Sequence, residues 1–362
     1  AGIKTALLHP VAEEMSLPII KLNSGQQLLL SFDDLYDDYS NYSYGIEHCN
    51  ANWTPSGLLT QEYISNMPDG YIRNYEYSLN TYFSYTHYTV AFPSGSSRLL
   101  KSGNYILKVW ANDDPSDLVL TKRFMVYEEL VNVSGNVKRP SIVEINKTHQ
   151  EVNFAIHHSN YEIANPFTDL QVVLMQNNRW DNSIKNLKPQ FLQNNRLAYN
   201  YNRESSFPAG NEFRFFNIKD TRTLSLNMRH VERDSLITVY LRDEESRAIK
   251  NYTLYGDLNG EFLIVRTDAT SSATEADYVY VDFFLKHPEP LASGDLYVFG
   301  KVSDWKLLRD YRMEYDYARK AYRAKIQLKQ GYYNYMYATY DRNSGMANIS
   351  AVEGGNWQTE NA

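Results

Sequence analysis

Few residues in this chain are of a type that does chemistry, and their spacing pairs almost none of them. Cys49, the one cysteine, directly follows His48. A thiolate–imidazole couple needs both groups on one side, whereas neighbours on a strand point to opposite faces. A lone cysteine is ordinarily a small buried hydrophobe, and a single thiol forms no intrachain disulfide. His157 and His158 meet the same objection as a metal pair. Asp33, Asp34, Asp37 and Asp38 have the oxygen chemistry for calcium. They lack the glycine turn and further ligands of a calcium loop, which favours a solvated acidic turn. Glu13 with Glu14, and Asp243 with Glu244 and Glu245, read as exposed charge; paired carboxylates for glycoside hydrolysis need a cleft and a set separation. H-E-x-x-H, G-x-S-x-G, G-x-G-x-x-G and the P-loop are absent. No metal or other cofactor is expected, and these residues by themselves leave the function open.

Recognition would fall to aromatic residues. Trp180 sits in the polar run Gln176-Asn177-Asn178-Arg179-Trp180-Asp181-Asn182, directly after the apolar Leu170 to Met175. It is either the plug of a small core or a contact residue. Large aromatics dominate core energetics, so inward packing is favoured, with Asn and Asp neighbours forming Asx-turns. Trp180→Ala would then cost about 3–5 kcal/mol. Trp305 invites a sugar-stacking reading, and a core position is the stronger one. The segments Tyr71 to Tyr77 and Tyr82 to Tyr88 are strand faces or an amphipathic contact surface, since Tyr is enriched at interfaces.

The elements that must carry these residues are strands. Aromatic residues make up 14% of the chain, 31 of them Tyr, which favours pleated, half-buried surfaces. The net charge of −7, with no basic cluster, argues against nucleic acid as a partner. No 18-residue apolar run exists, so no spanning helix is expected. The chain starts Ala1-Gly2-Ile3-Lys4 without a Met or a signal peptide, as either a processed product or a trimmed sequence would.

At 362 residues, two or three domains are expected. Tyr42 to Cys49 alternates with period two. Ser102-Gly103-Asn104-Tyr105 opens a strand after a glycine turn, like a tyrosine corner of immunoglobulin-like sandwiches. Residues 1–127 thus read as an immunoglobulin/fibronectin-like sandwich. Eight strand signals, at 131–137, 150–157, 170–175, 196–201, 212–218, 223–230, 236–242 and 251–256, make 128–266 a middle sandwich. The polar stretch Thr267 to Ala276 reads as a linker. In 267–362, Phe299-Gly300 with Trp305 and the Gln330-Gly331 hairpin is similar to early-set sandwiches of the glycogen-binding type. The fold class is therefore all-β, with tandem immunoglobulin/fibronectin-like and early-set sandwiches.

One family carries these signatures in the same order. They are His48-Cys49-Asn50-Ala51-Asn52-Trp53-Thr54-Pro55-Ser56, Tyr85-Thr86-His87-Tyr88, Ser102 to Tyr105, Asn165-Pro166-Phe167, Gln176 to Asn182, Ala209-Gly210-Asn211-Glu212-Phe213-Arg214 and Gly294 to Gly300. Together they resemble the plug protein of the type IX secretion system of Bacteroidota, over nearly the whole chain. Trp357 to Asn361 is similar to the start of that family's final strand, at which Ala362 stops the chain. The resemblance implies a periplasmic, outer-membrane-associated, non-enzymatic protein. Its partner would be the outer-membrane translocon barrel of the SprA/Sov type, whose periplasmic mouth it seals. Asn177, Arg179, Trp180, Asp181, Tyr85 and His87 are then candidate partner contacts. The alternative is a glycan-binding protein using the C-terminal early-set sandwich and Trp305.

Overall fold

A computed structural model describes residues 2–36, 39–66, 70–292, 294–342 and 345–360. Asp37 and Asp38 of the acidic run, and Asn361 and Ala362 at the chain's end, lie outside the described residues. Among the described residues the α-helices are single four-residue turns, at Thr60–Tyr63, Ser272–Glu275 and Ser350–Glu353, and the rest of the regular structure is mostly strand. The protein is all-β, as expected. Its internal contacts form two units, Ala1–Glu129 with Ala269–Asp277, and Leu130–Asp268 with Tyr278–Ala362.

The first unit is a sandwich of two four-stranded sheets. One runs in the order Ile3–Pro10, Leu28–Asp34, Thr86–Phe92, Asn74–Tyr77; the other runs Ile19–Lys21, Leu118–Tyr127, Gly103–Ala111, Tyr42–Cys49. Period-two alternation builds the core between them. Leu28, Leu30 and Phe32 from one sheet and Tyr105, Leu107 and Val109 from the other have no exposed surface. Rings join the two layers edge to face, Phe32 on Tyr42 at 5.2 Å and Phe92 on Phe124 at 5.4 Å. The Tyr105 hydroxyl donates to the Lys101 carbonyl at 2.7 Å, which makes the tyrosine corner that the Gly103 turn predicts. Ala269–Asp277, which includes most of the Thr267 to Ala276 stretch read from sequence as a linker, belongs to this unit. Its carbonyls at Ala273 and Ala276 face the buried Tyr85 hydroxyl at 3.0 and 2.8 Å. Its Asp277 carboxylate accepts the backbone N–H groups of Tyr82 and Phe83.

The second unit holds a small sheet and a large one. The small sheet runs Asn132–Lys138, His149–His157, Arg196–Tyr199, Phe191–Gln193. Phe154, Ile156, Leu197 and Tyr199 line one face, under the short pair Val173–Leu174 and Ile184–Lys185. The large sheet runs Arg214–Asn217, Gly331–Tyr340, Leu296–Phe299, Arg312–Asp316, Ala321–Lys329, Tyr278–Lys286, Ile237–Leu241, Met228–Arg233. It therefore takes strands from both sides of residue 266. It curls until its two ends share one core, where Phe216 meets Phe283 at 5.5 Å. A second tyrosine corner closes here, with the Tyr333 hydroxyl donating to the Lys329 carbonyl at 2.6 Å. The expected strand at 251–256 does not form. Its Tyr252 hydroxyl donates to Glu212, and its Tyr255 hydroxyl accepts from Arg247. Trp357 to Glu360 adds no strand either; the carbonyls of Trp357 and Thr359 accept the Gln150 amide.

Beneath the large sheet lies a charged network that the sequence hides. Glu353 is fully buried and accepts from Arg214 Nε at 2.9 Å, Arg247 Nε at 2.7 Å and the Tyr337 N–H at 2.9 Å. Arg214 also donates to Glu244, whose other oxygen accepts the hydroxyls of Tyr335 and Tyr337. Glu244 is thus a network member, not the exposed charge expected, because three donors on neighbouring strands converge on it. Burial pushes the Glu353 carboxyl up, but Arg214 and Arg247 pull it further down, below its ordinary 4.5. A lowered folded value stabilises the protein above that pH, and the contribution is lost as the pH falls through the folded value. Glu353→Gln leaves the buried Arg214 and the partly buried Arg247 undercompensated and should cost about 3–5 kcal/mol. Thermal unfolding followed against pH checks this: the variant should melt lower at neutral pH and show a flatter acid limb.

Candidate functional site

The loop Gln176 to Asn182 is built by its amides. Asn177 and Asn178 take left-handed backbone, φ 50° and 59°, which Asn tolerates better than most residues. Asn182 Nδ2 donates to Gln176 Oε1 at 3.0 Å, and Gln176 Nε2 donates to the Pro208 carbonyl at 3.0 Å. These are side-chain links rather than the Asx-turns expected. The inward residue is Arg179, 3% exposed, whereas Trp180 is only half-buried. Arg179 pairs bidentately with Asp181, Nε to Oδ1 at 3.0 Å and Nη2 to Oδ2 at 2.7 Å. Its guanidinium lies 4.9 Å from the Trp305 ring centre and 5.1 Å from that of Phe299. A planar, weakly hydrated cation stacks on aromatic faces while its edge holds a carboxylate, and this lets Arg179 take the place expected of Trp180.

This geometry also decides Trp305. It is 9% exposed, edge to face with Phe213 and Phe299 and capped by Arg179. A Cβ at Gly260 would stand 2.6 Å from its ring, so the backbone there closes another side. No open face remains for a sugar, and the stacking role gives way to the core role. Arg179 and Asp181 of the polar loop thus meet Trp305, singled out apart from them in the sequence, in one internal cluster. Asn178 is the exposed member of the loop, with Asn177, Trp180 and Asp181 half-buried.

Tyr85 and His87 are likewise engaged within the first unit. Tyr85 has no exposed surface and holds the 269–277 segment. His87 Nδ1 lies 2.6 Å from Asp33 Oδ1. Asp33 and Asp34 are fully buried, contrary to the solvated turn expected; Asp34 accepts from the Tyr42 hydroxyl at 2.7 Å and the Tyr36 N–H at 3.1 Å. Cys49 is 2% exposed, and burial first, then the Glu47 charge, pushes its thiol up, away from nucleophilic use. Among the described residues no group of three or more His, Cys, Asp or Glu is placed to hold a metal.

The surface feature that single positions in the sequence do not reveal is an aromatic rim on the first unit. Tyr75 and Tyr77 on the edge strand Asn74–Tyr77, with Leu79 and Tyr82 beyond it, are all exposed, Tyr77 and Tyr82 by more than half. Tyr39 lies 4.9 Å from the Tyr75 ring, and Tyr75 is backed by the buried Tyr88 at 6.0 Å. Tyr88 in turn stacks on Phe32 at 5.3 Å. Burial pushes the Tyr88 phenol up to about 12, and its hydroxyl donates to the Ser40 carbonyl at 3.1 Å. The rim therefore rests on a fixed aromatic column. Its signal was the Tyr alternation in 71–77, which marks a strand but not which strand is at the edge.

These sheets define an all-β, multi-unit protein that carries an exposed aromatic rim on its first unit. The family profile of the type 9 secretion system plug protein, first domain, matches residues 3–128, and the chain belongs to that family. The match covers the first sandwich almost strand for strand. Among solved structures, a hypothetical protein from Parabacteroides merdae shares the fold with a TM-score of 0.94 and 32% identity, over 99% of this chain and 90% of that one. No curated protein matches.

The internal stack generates a test of the loop. Trp305→Ala should cost about 3–5 kcal/mol and Arg179→Ala about as much, since it strands Asp181 and uncovers the ring. Trp180→Ala should cost clearly less, about 1 kcal/mol, as a half-buried site requires. Denaturant unfolding of the three variants checks the order, and a Trp180→Ala loss equal to that of Trp305→Ala would contradict it.

Proposed function

We propose that the protein is a non-enzymatic periplasmic plug that binds the outer-membrane translocon barrel of the type IX secretion system, of the SprA/Sov type, and seals its periplasmic mouth. The observation that carries this reading is the plug-family first domain over residues 3–128. The aromatic rim gives that domain a suitable contact surface. Tyr offers large, rigid, amphipathic area at low entropic cost and is enriched at interface hot spots. Among the described residues no helix is long and apolar enough to cross a membrane, and a plug reaches the envelope through its partner. Arg179, Asp181, Tyr85 and His87 serve this function from inside, by holding the surfaces in shape.

Purification of the tagged protein from solubilised native envelope should recover a large outer-membrane barrel. Recovery of no barrel protein would sink the proposal. Replacing Tyr77, Leu79 and Tyr82 together by Ala should lower recovery about tenfold or more while leaving the melting temperature close to wild type, because these side chains are exposed.

A further inference from the structure

Asn132–Lys138, at the outer edge of the small sheet, is a strand that lacks the usual protection of an edge. All seven of its residues are exposed, and it pairs with His149–His157 in unbroken register from Asn132 opposite His157 to Lys138 opposite Glu151. Natural edges are kept from pairing by shortness, bulges, proline or charge. The other edges here carry such devices. Ile3–Pro10 has a register shift, as does Met228–Arg233, which is also charged along its length. Tyr42–Cys49 is covered, its Tyr44 N–H bonded to the Gly70 carbonyl, and Asn74–Tyr77 has only four residues. In Asn132–Lys138 the single charge, Lys138, turns back to its own sheet, with Nζ 3.0 Å from the buried Glu151.

The strand's side chains say what would pair with it. Val133 and Val137 lie opposite Ile156 and Val152, on the face that carries the small core, yet are 60% and 49% exposed. The apolar face therefore runs past its cover to the open edge. Between them Gly135 lies against the next strand, where a Cβ would stand 3.2 Å from the Asn153 carbonyl. In N-V-S-G-N-V-K the two valines stand at equal distance on either side of that glycine, with small or polar residues at the remaining positions. Laid antiparallel on itself with Gly135 opposite Gly135, it sets Val133 opposite Val137 twice, and Ser134 opposite Asn136 twice. Lys138 falls opposite Asn132, so no like charges meet. Such a two-fold contact is self-complementary.

We infer that this edge pairs with the same edge of a second copy, joining two small sheets into one continuous antiparallel sheet. Sedimentation equilibrium of the full chain from micromolar to near-millimolar concentration tests this. The expected result is reversible dimerisation, weakened roughly tenfold or more by Val133→Lys and equally by Val137→Glu, since like charges then flank the axis or the apolar row is broken. Both positions are exposed, so both variants should fold. Mixing the Val133→Lys chain with the Val137→Glu chain should restore association, because only the antiparallel register about Gly135 sets those two positions opposite each other. A monomer at every concentration, a dimer indifferent to both substitutions, or a mixture that stays monomeric would overturn the inference.

Discussion

The second unit depends on one buried charge, Glu353. A carboxylate with no exposed surface survives there only because two guanidinium groups and a backbone N–H surround it. Those partners come from far apart. Arg214 stands on a strand at one end of the large sheet, Arg247 on the loop after Glu244–Glu245, and Tyr337 on the long strand Gly331–Tyr340. Glu353 itself ends a four-residue helix near the C-terminus. The network therefore ties elements from Arg214 to Glu353 into one register. It explains why Tyr252 and Tyr255 sit outside any sheet: their hydroxyls bond Glu212 and Arg247, which flank the same charge.

The same logic, a cation held between aromatic faces and a carboxylate, recurs on a smaller scale at Arg179. There the loop Gln176 to Asn182 is pinned onto the Trp305 cluster, and residues that looked like contact points become supports. Tyr85 and His87 follow suit in the first unit. Internal polar anchors of this kind hold loops without a large apolar core beneath them. What is left outside is the rim of Tyr75, Tyr77 and Tyr82, backed by Tyr88 and Phe32. The surface and the core are thus one aromatic column, stiff at the end that faces solvent.

Much was legible in the chain itself. Strands with period-two alternation, such as Tyr42–Cys49 and Gly103–Ala111, fall where the pattern puts them, because side-chain alternation is a local property of extended backbone. The tyrosine corner at Tyr105 was readable from its glycine turn. Its counterpart at Tyr333 has the same K-x-G-x-Y spelling, Lys329-Gln330-Gly331-Tyr332-Tyr333, and a hydroxyl that bonds four residues back in the same way. The family membership was legible as well, from the order of the motifs.

Four things only the tertiary structure decided. Burial within a polar loop was one: Arg179 and Trp180 are adjacent, and which turns inward depends on Trp305, more than a hundred residues later. The fate of acidic runs was another, since Asp33, Asp34 and Glu244 read as solvated charge until donors from other strands arrive. The grouping of strands was the third, because the large sheet takes members from both sides of a polar stretch that itself folds into the first unit. The last was which strands are edges, and hence where the Tyr rim and the open Asn132–Lys138 strand lie. Periodicity records which side of a strand is apolar, but pairing, burial and ionic partnership are set by residues distant in sequence, and only the folded chain brings those together.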